Sequence, residues 1–371
     1  MRYLIISSPR NRAGFSVKGA EKNMLDSWSA NGTVAKIKYI HGRMFTKENY
    51  HEMLMRRTVP EAADYLAHSA RYKDAFRDVD PNTVHRGFVE ELLQRENFNT
   101  YIRLCRFQEL DKLPFYDFLI KSKEIECILS MINNINSGLD NSYLNDLPGY
   151  VIKHSKVSLL EMSRAENFEQ LLKILRNTPY YKILVKIPPL EDGSADYTEC
   201  ELRLRTAYYA ELLNTAKHDF SEMQSKQLSE MIGREIDCLN IINAYRMKAF
   251  FCYSPEEIKK RQIRIKTGTG SVKRLDKYYE LESPEDMLEW VKRSKYSKGG
   301  KQTSEYIESI VRSSQFAYLS HILAQSTAAP VSLYAFMKLC STEALNIVHI
   351  IEAIRYNADP SAVEKDLIIT A

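Results

Sequence analysis

The feature that most constrains this chain is a helical word that occurs three times. Residues 234–250 read REIDCLNIINAYRMKAF, with Ile236, Leu239, Ile242 and Met247 close to one helical face. Asp237, Asn240, Asn243 and Arg246 recur beside them at steps of three, which makes an amphipathic helix with a regular polar edge. KEIECILSMINNI at 123–135 matches it, with Glu126-Cys127 standing for Asp237-Cys238. STEALNIVHIIEAIR at 341–355 matches it again, with Glu343-Ala344-Leu345-Asn346 standing for Asp237-Cys238-Leu239-Asn240. Cys127 and Cys238 are 111 residues apart, and Cys238 and Ala344 are 106 apart. A helix that returns at that period predicts a domain copied three times.

A second word keeps step with the first. Pro60-Glu61, Phe168-Glu169 and Pro284-Glu285 each stand about twelve residues before a tyrosine, namely Tyr72, Tyr180 and Tyr296. Proline in a first helical turn loses no N–H bond, and an acidic residue there suits the helix dipole. Leu66, Ile174 and Trp290 lie six before each tyrosine and are expected to face the core. Within a copy, each tyrosine word precedes its long-helix word by 48 to 58 residues. The expected units are 31–146, 147–254 and 255–371, after an N-terminal extension, 1–30, whose Tyr3-Leu4-Ile5-Ile6 reads as a short strand or tether. Asn141–Gly149 and Cys252–Glu256 supply turn residues between the units.

Long helices are expected over Phe88–Phe107, Ser194–Thr215 and Thr303–Ala324. Thr46 reads as the cap of a helix over 46–57, without a full capping box. Ile183-Leu184-Val185 is the one strand-like run inside the units. The class is all-α.

Composition narrows function. The 52 basic and 48 acidic residues leave a net charge of +4, too small for a nucleic-acid field. Six cysteines (Cys105, Cys127, Cys200, Cys238, Cys252 and Cys340) form no CxxC pair and read as reduced core thiols of a cytosolic protein. The apolar run before Pro9 is too short for a secretory signal, and no stretch reaches the ~18–20 apolar residues that span a bilayer. The eight histidines lack HExxH or zinc spacing, and KTGTGSVK at 266–273 lacks phosphate-loop spacing, so it reads as a flexible loop. Around it, Lys259, Lys260, Arg261, Arg264, Lys266, Lys273, Arg274 and Lys277 face Asp276 alone: a solvated face, or a patch for an acidic partner or anionic headgroups. No catalytic, cofactor-binding or metal-binding residue is expected. The Asp237–Asn240–Asn243–Arg246 edge reads first as packing between helices, second as a partner contact.

Three helical units with an EID-C-LNII helix, the P-E…Y words and AKIKYIHGRMFTKENYHEML at 35–54 resemble the C subunit of V/A-type rotary ATPases, the d subunit of the eukaryotic vacuolar enzyme. The resemblance covers 31–371 and departs in 1–30 and at Leu129, which stands where Asn240 and Asn346 stand in the other copies. It implies three pseudo-threefold-related helical domains forming a funnel-shaped socket. It implies a non-catalytic rotor component, peripheral on the cytoplasmic face of the cell membrane. Its implied partners are the coiled-coil central-shaft subunits and the membrane proteolipid ring that carries H⁺ or Na⁺. A helical-repeat adaptor with another partner is the alternative, and it would show a period of ~30–45 residues.

Overall fold

The computed structural model describes residues 31–369 apart from 81–83, 108–112, 140–148, 268–270 and 303. The extension 1–30, most of the 141–149 turn and the centre of the 266–273 loop lie outside the described residues. No strand occurs among the described residues, and the all-α expectation holds.

Three pairs of long helices, each pair consecutive in the chain, dominate. Numbering from α1 (31–41), they are α5 (Arg86–Phe107) with α6 (Phe118–Ser137), α11 (Tyr197–Asp219) with α12 (Glu222–Phe251), and α16 (Ile307–Gln325) with α17 (Ala329–Arg355). Short helices link them. α2 (Lys47–Leu54), α3 (Val59–His68) and α4 (Lys73–Phe76) precede the first pair. α7 (Gly149–His154), α8 (Leu159–Met162), α9 (Phe168–Ile174) and α10 (Tyr181–Leu184) precede the second. α13 (Pro255–Lys260), α14 (Ser271–Tyr279) and α15 (Pro284–Arg293) precede the third, and α18 (Pro360–Asp366) follows it.

The recurring P-E…Y word folds the same way each time. Thr58, Asn167 and Ser283 cap α3, α9 and α15 by accepting the N–H of Glu61, Gln170 and Asp286. At the far end, the hydroxyls of Ser69, Thr178 and Ser294 donate to the carbonyls of Leu66, Leu175 and Val291. Those three apolar residues are fully buried, whereas Ile174 and Trp290 are only half-buried. The offset of six holds for Leu66 and is five in the other copies, because the first copy has one more residue between hydroxyl and tyrosine. Ile183 and Val185 sit in and beside the short helix α10, where tertiary packing overrides their strand preference. Asn49 completes a capping box with Thr46, its side chain accepting the Thr46 N–H at 3.0 Å, so α2 is better capped than its sequence suggests.

The turns of the three pairs meet at one aromatic hub. Phe115, before α6, lies 5.1 Å from Phe220, before α12, and 6.2 Å from Tyr334 in the first turns of α17. Phe118 lies 5.2 Å from Tyr334. The Asp219 carboxylate accepts the Phe115 N–H at 3.1 Å and ties two of the turns together. Five of the six cysteines are buried, as expected, and Cys252 is exposed at the left-handed C-cap of α12 (φ 52°).

Candidate functional site

Each long C-terminal helix (α6, α12, α17) carries one buried carboxylate, and each meets the tyrosine of the next copy. Tyr180 donates to Glu124 at 2.6 Å, Tyr296 to Asp237 at 2.6 Å and Tyr72 to Glu343 at 2.7 Å. All three carboxylates and all three tyrosines are buried. The third contact joins residues 271 apart and closes the cycle. These clasps correct the register expected for the first copy. KEIEC and REIDC match position by position with like residues, which sets Glu126 against Asp237, but Glu126 is exposed and Glu124 holds the buried position. Cys127, not Leu129, therefore stands where Asn240 and Asn346 stand.

The asparagines explain their place. Asn240 exchanges two bonds with the Ile263 backbone, at 2.9 and 3.0 Å. Asn346 does the same with Ile368, at 2.8 and 2.9 Å. A thiol cannot do this; in the first copy Asn136 makes the paired contact instead, with Ala195. The polar edge of α12 thus divides. Asp237 and Asn240 are buried packing groups, whereas Asn243 is exposed and half-exposed Arg246 pairs with Glu308 on α16 at 2.7 Å.

The clasps differ in their surroundings. Glu343 also accepts the Phe45 N–H at 2.6 Å and has the Arg71 guanidinium 3.7 Å away. Burial pushes its pKa above the ordinary glutamate value, and Arg71, Tyr72 and the Phe45 N–H only partly offset that. Asp237 has Arg274 at 3.7 Å. Glu124 accepts from the Ser155 hydroxyl at 2.9 Å and the Lys156 N–H at 2.6 Å. All three tyrosines are held well above their ordinary range by burial and by the carboxylate they serve.

Inside the clasps lies a cavity of about 480 Å³, walled by α5, α6, α11, α12 and α17. Matched positions line it. Two residues before each clasp carboxylate stand Ser122, Glu235 and Ser341; two after stand Glu126, Leu239 and Leu345; all six face the cavity. The cavity is therefore lined by matched positions of all three of these helices. Near the hub, Glu235 accepts from Tyr209 at 2.7 Å, Tyr334 at 2.8 Å and Lys338 at 2.7 Å. Burial raises its pKa, and the Lys338 charge with these donors outweighs burial, so the carboxyl sits below its ordinary value. Sequence reasoning missed Glu235 and the cavity-lining serines, whose only signal is their fixed offset from a carboxylate set in the corrected register.

Among the described residues, no group of histidine, cysteine or acidic side chains is arranged to hold a metal ion. Three cations of the basic stretch are engaged locally: Lys259 with Glu280, Arg264 with Asp276 and Arg274 with Tyr296. No helix among the described residues is long and apolar enough to cross a membrane.

A family model described as ATP synthase (C/AC39) subunit matches residues 33–365. The chain belongs to this family. Its relatives include the C subunit of the A-type ATP synthase of Desulfurococcus sp. (strain SY), 27% identical over 293 residues, which are 78% of this chain and 75% of that one. The C subunit from Thermococcus kodakarensis is 23% identical over 298 residues, 79% of this chain and 76% of that one. That of Thermococcus onnurineus is 28% identical over 217 residues, 58% and 56% of the two chains. The family match spans all three helix pairs, the hub and every clasp, so the cyclic architecture is a feature of nearly the whole matched length.

Proposed function

We propose that this chain is the non-catalytic stalk subunit of an A/V-type rotary ATPase. In this reading it is a socket between the central shaft and the membrane proteolipid ring, peripheral on the cytoplasmic side. Three helical units, 31–146, 147–254 and 255–371, surround the socket as a funnel. The observation that carries the reading is the cavity, whose wall takes two matched positions from each of α6, α12 and α17 and closes at an aromatic hub. A part that passes torque needs stiff walls, and packed helices locked by buried clasps deform less than loops. The lining charges are paired within the chain, Lys123 with Glu126 at 3.1 Å and Lys338 with Glu235 at 2.7 Å, as suits a surface that holds a partner rather than a reacting group.

Deletion is the test. Without this stalk component, ATP-driven ion transport is lost while the detached head still hydrolyses ATP. Fully coupled pumping in the deletion strain contradicts the reading.

A further inference from the structure

The short helices of the first copy form one module with α18, which lies far from them in the sequence. After α12, a left-handed Cys252, a capping Ser254 and Pro255 lead into α13, and Asn240 then clamps the Ile263 backbone. After α17 the same features return in the same order. Left-handed Asn357 (φ 50°), capping Asp359 and Pro360 lead into α18, and Asn346 clamps the Ile368 backbone. Ile263 stands 26 residues after Asp237, and Ile368 stands 25 after Glu343. α18 is therefore the counterpart of α13.

The neighbours correspond as well. α13 packs on α12 and α14, and α18 packs on α17 and α2. α14 buries Leu275, Tyr278 and Tyr279, and α2 buries Tyr50, Met53 and Leu54 at the same spacing. Tyr296 then meets Asp237, as Tyr72 meets Glu343. So α18, α2 and α3 stand around α17 as α13, α14 and α15 stand around α12. One difference separates the two modules. α13 runs into α14 through residues 261–270, whereas Leu54 and Pro360 are 306 residues apart. A short connection holds two elements at high effective concentration, and α18 and α2 have none.

Side chains take its place. His51 on α2 meets Glu364 on α18 at 3.4 Å. Lys301, in the loop before α16, donates to the Glu364 carbonyl at 3.4 Å and to that of Lys365, in the last turn of α18. Val363 and Leu367 enter the apolar cluster that holds Met53 and Leu66.

We propose that α18 is a reversible latch: when it lifts from α2, α2 and α3 come free as a unit while α5 stays packed on α17. The Tyr72–Glu343 clasp closes the cycle of three, so the latch makes one junction openable and leaves the other two fixed. This device stands on the fold and does not depend on the socket reading.

Amide hydrogen exchange of the full chain tests it. Asn346→Ala and Asn240→Ala remove the same paired bonds from the two modules. The latch predicts that Asn346→Ala speeds exchange about tenfold or more in α18, α2 and α3 together, with α5 unchanged. Asn240→Ala should speed α13 alone and leave α14 and α15 within about threefold of wild type. Lys301→Ala, a milder change at a half-buried site, gives the Asn346→Ala pattern at smaller size and serves if Asn346→Ala does not fold. Equal loosening of α14–α15 by Asn240→Ala and of α2–α3 by Asn346→Ala overturns the latch. So does exchange that rises in α18 while α2 and α3 keep wild-type protection, or that rises uniformly over the chain.

Discussion

A buried carboxylate is tolerated only where donors converge on it, and each clasp places a tyrosine hydroxyl at hydrogen-bond distance from one. Removing one donor leaves the carboxylate buried and short of a partner, which costs about 1–3 kcal/mol. Tyr72→Phe, Tyr180→Phe and Tyr296→Phe should each lower stability by about that amount in urea melts, whereas Tyr306→Phe, at an exposed site, should change it by less than about 0.5 kcal/mol. Glu343 and Glu235 give opposite pH signatures. The folded pKa of Glu343 is raised, so between the ordinary 4.5 and its folded value the native state holds more protons than the unfolded chain. Its contribution to stability is fully present below 4.5 and is lost as pH rises through the folded value. Glu235 is depressed, so its contribution is present above 4.5 and is lost as pH falls through the folded value. Melts of Glu343→Gln and Glu235→Gln against wild type across the acidic range should therefore show stability differences that slope in opposite directions. Slopes of the same sign would mean that one of the two carboxyls has been placed in the wrong surroundings.

At the scale of elements, the helices were legible because period and caps agree. Apolar spacing marked the long helices to within a few residues, and the two Pro-Glu starts with the Phe-Glu start found three matching short ones. What stayed hidden were long-range pairs. KEIEC and REIDC spell alike, yet the position that matters is set by a tyrosine 56 or 59 residues further on, and local spelling carries no record of it. The helix expected from Thr303 illustrates the same limit: α16 begins only at Ile307, after an extended Tyr306. Close approach between elements is equally invisible in the sequence. A Cβ on Gly300 would lie 2.5 Å from the Ser314 backbone nitrogen in α16, which leaves no room for it. Gly300→Ala should destabilise by about 1–3 kcal/mol through forced backbone shifts. Gly138→Ala meets open space and bears only the left-handed φ of 61°, so its loss should be about 1 kcal/mol. Equal melting temperatures for the two variants would contradict the packing of 299–301 against α16.

Across the whole molecule, the clasps make a ring from a linear chain. Two junctions are bridged by the backbone, while the Tyr72–Glu343 junction joins early and late parts of the sequence only by packing. One apolar cluster there holds Met53, Leu66, Tyr72 and Leu92 together with Ile347, Ile350, Ile351 and Leu367. Loss of the Tyr72 hydroxyl should therefore raise amide hydrogen exchange in α2–α3 and in the last turns of α17 together, while α11 and α15 keep wild-type protection. Uniform loss of protection would show that the seam is no weaker than the rest. Sequence alone exposed the threefold repetition but not this interlocking, since the period is a local property and the closure joins residues 271 apart. In the proposed socket this ring would supply the stiffness, and Leu345 lines the cavity. A photo-crosslinking amino acid in place of Leu345, activated in the assembled rotary complex, tests the socket most directly. The account predicts an adduct with a shaft subunit. A fully assembled complex whose adduct forms with any other subunit, or with none, would contradict it.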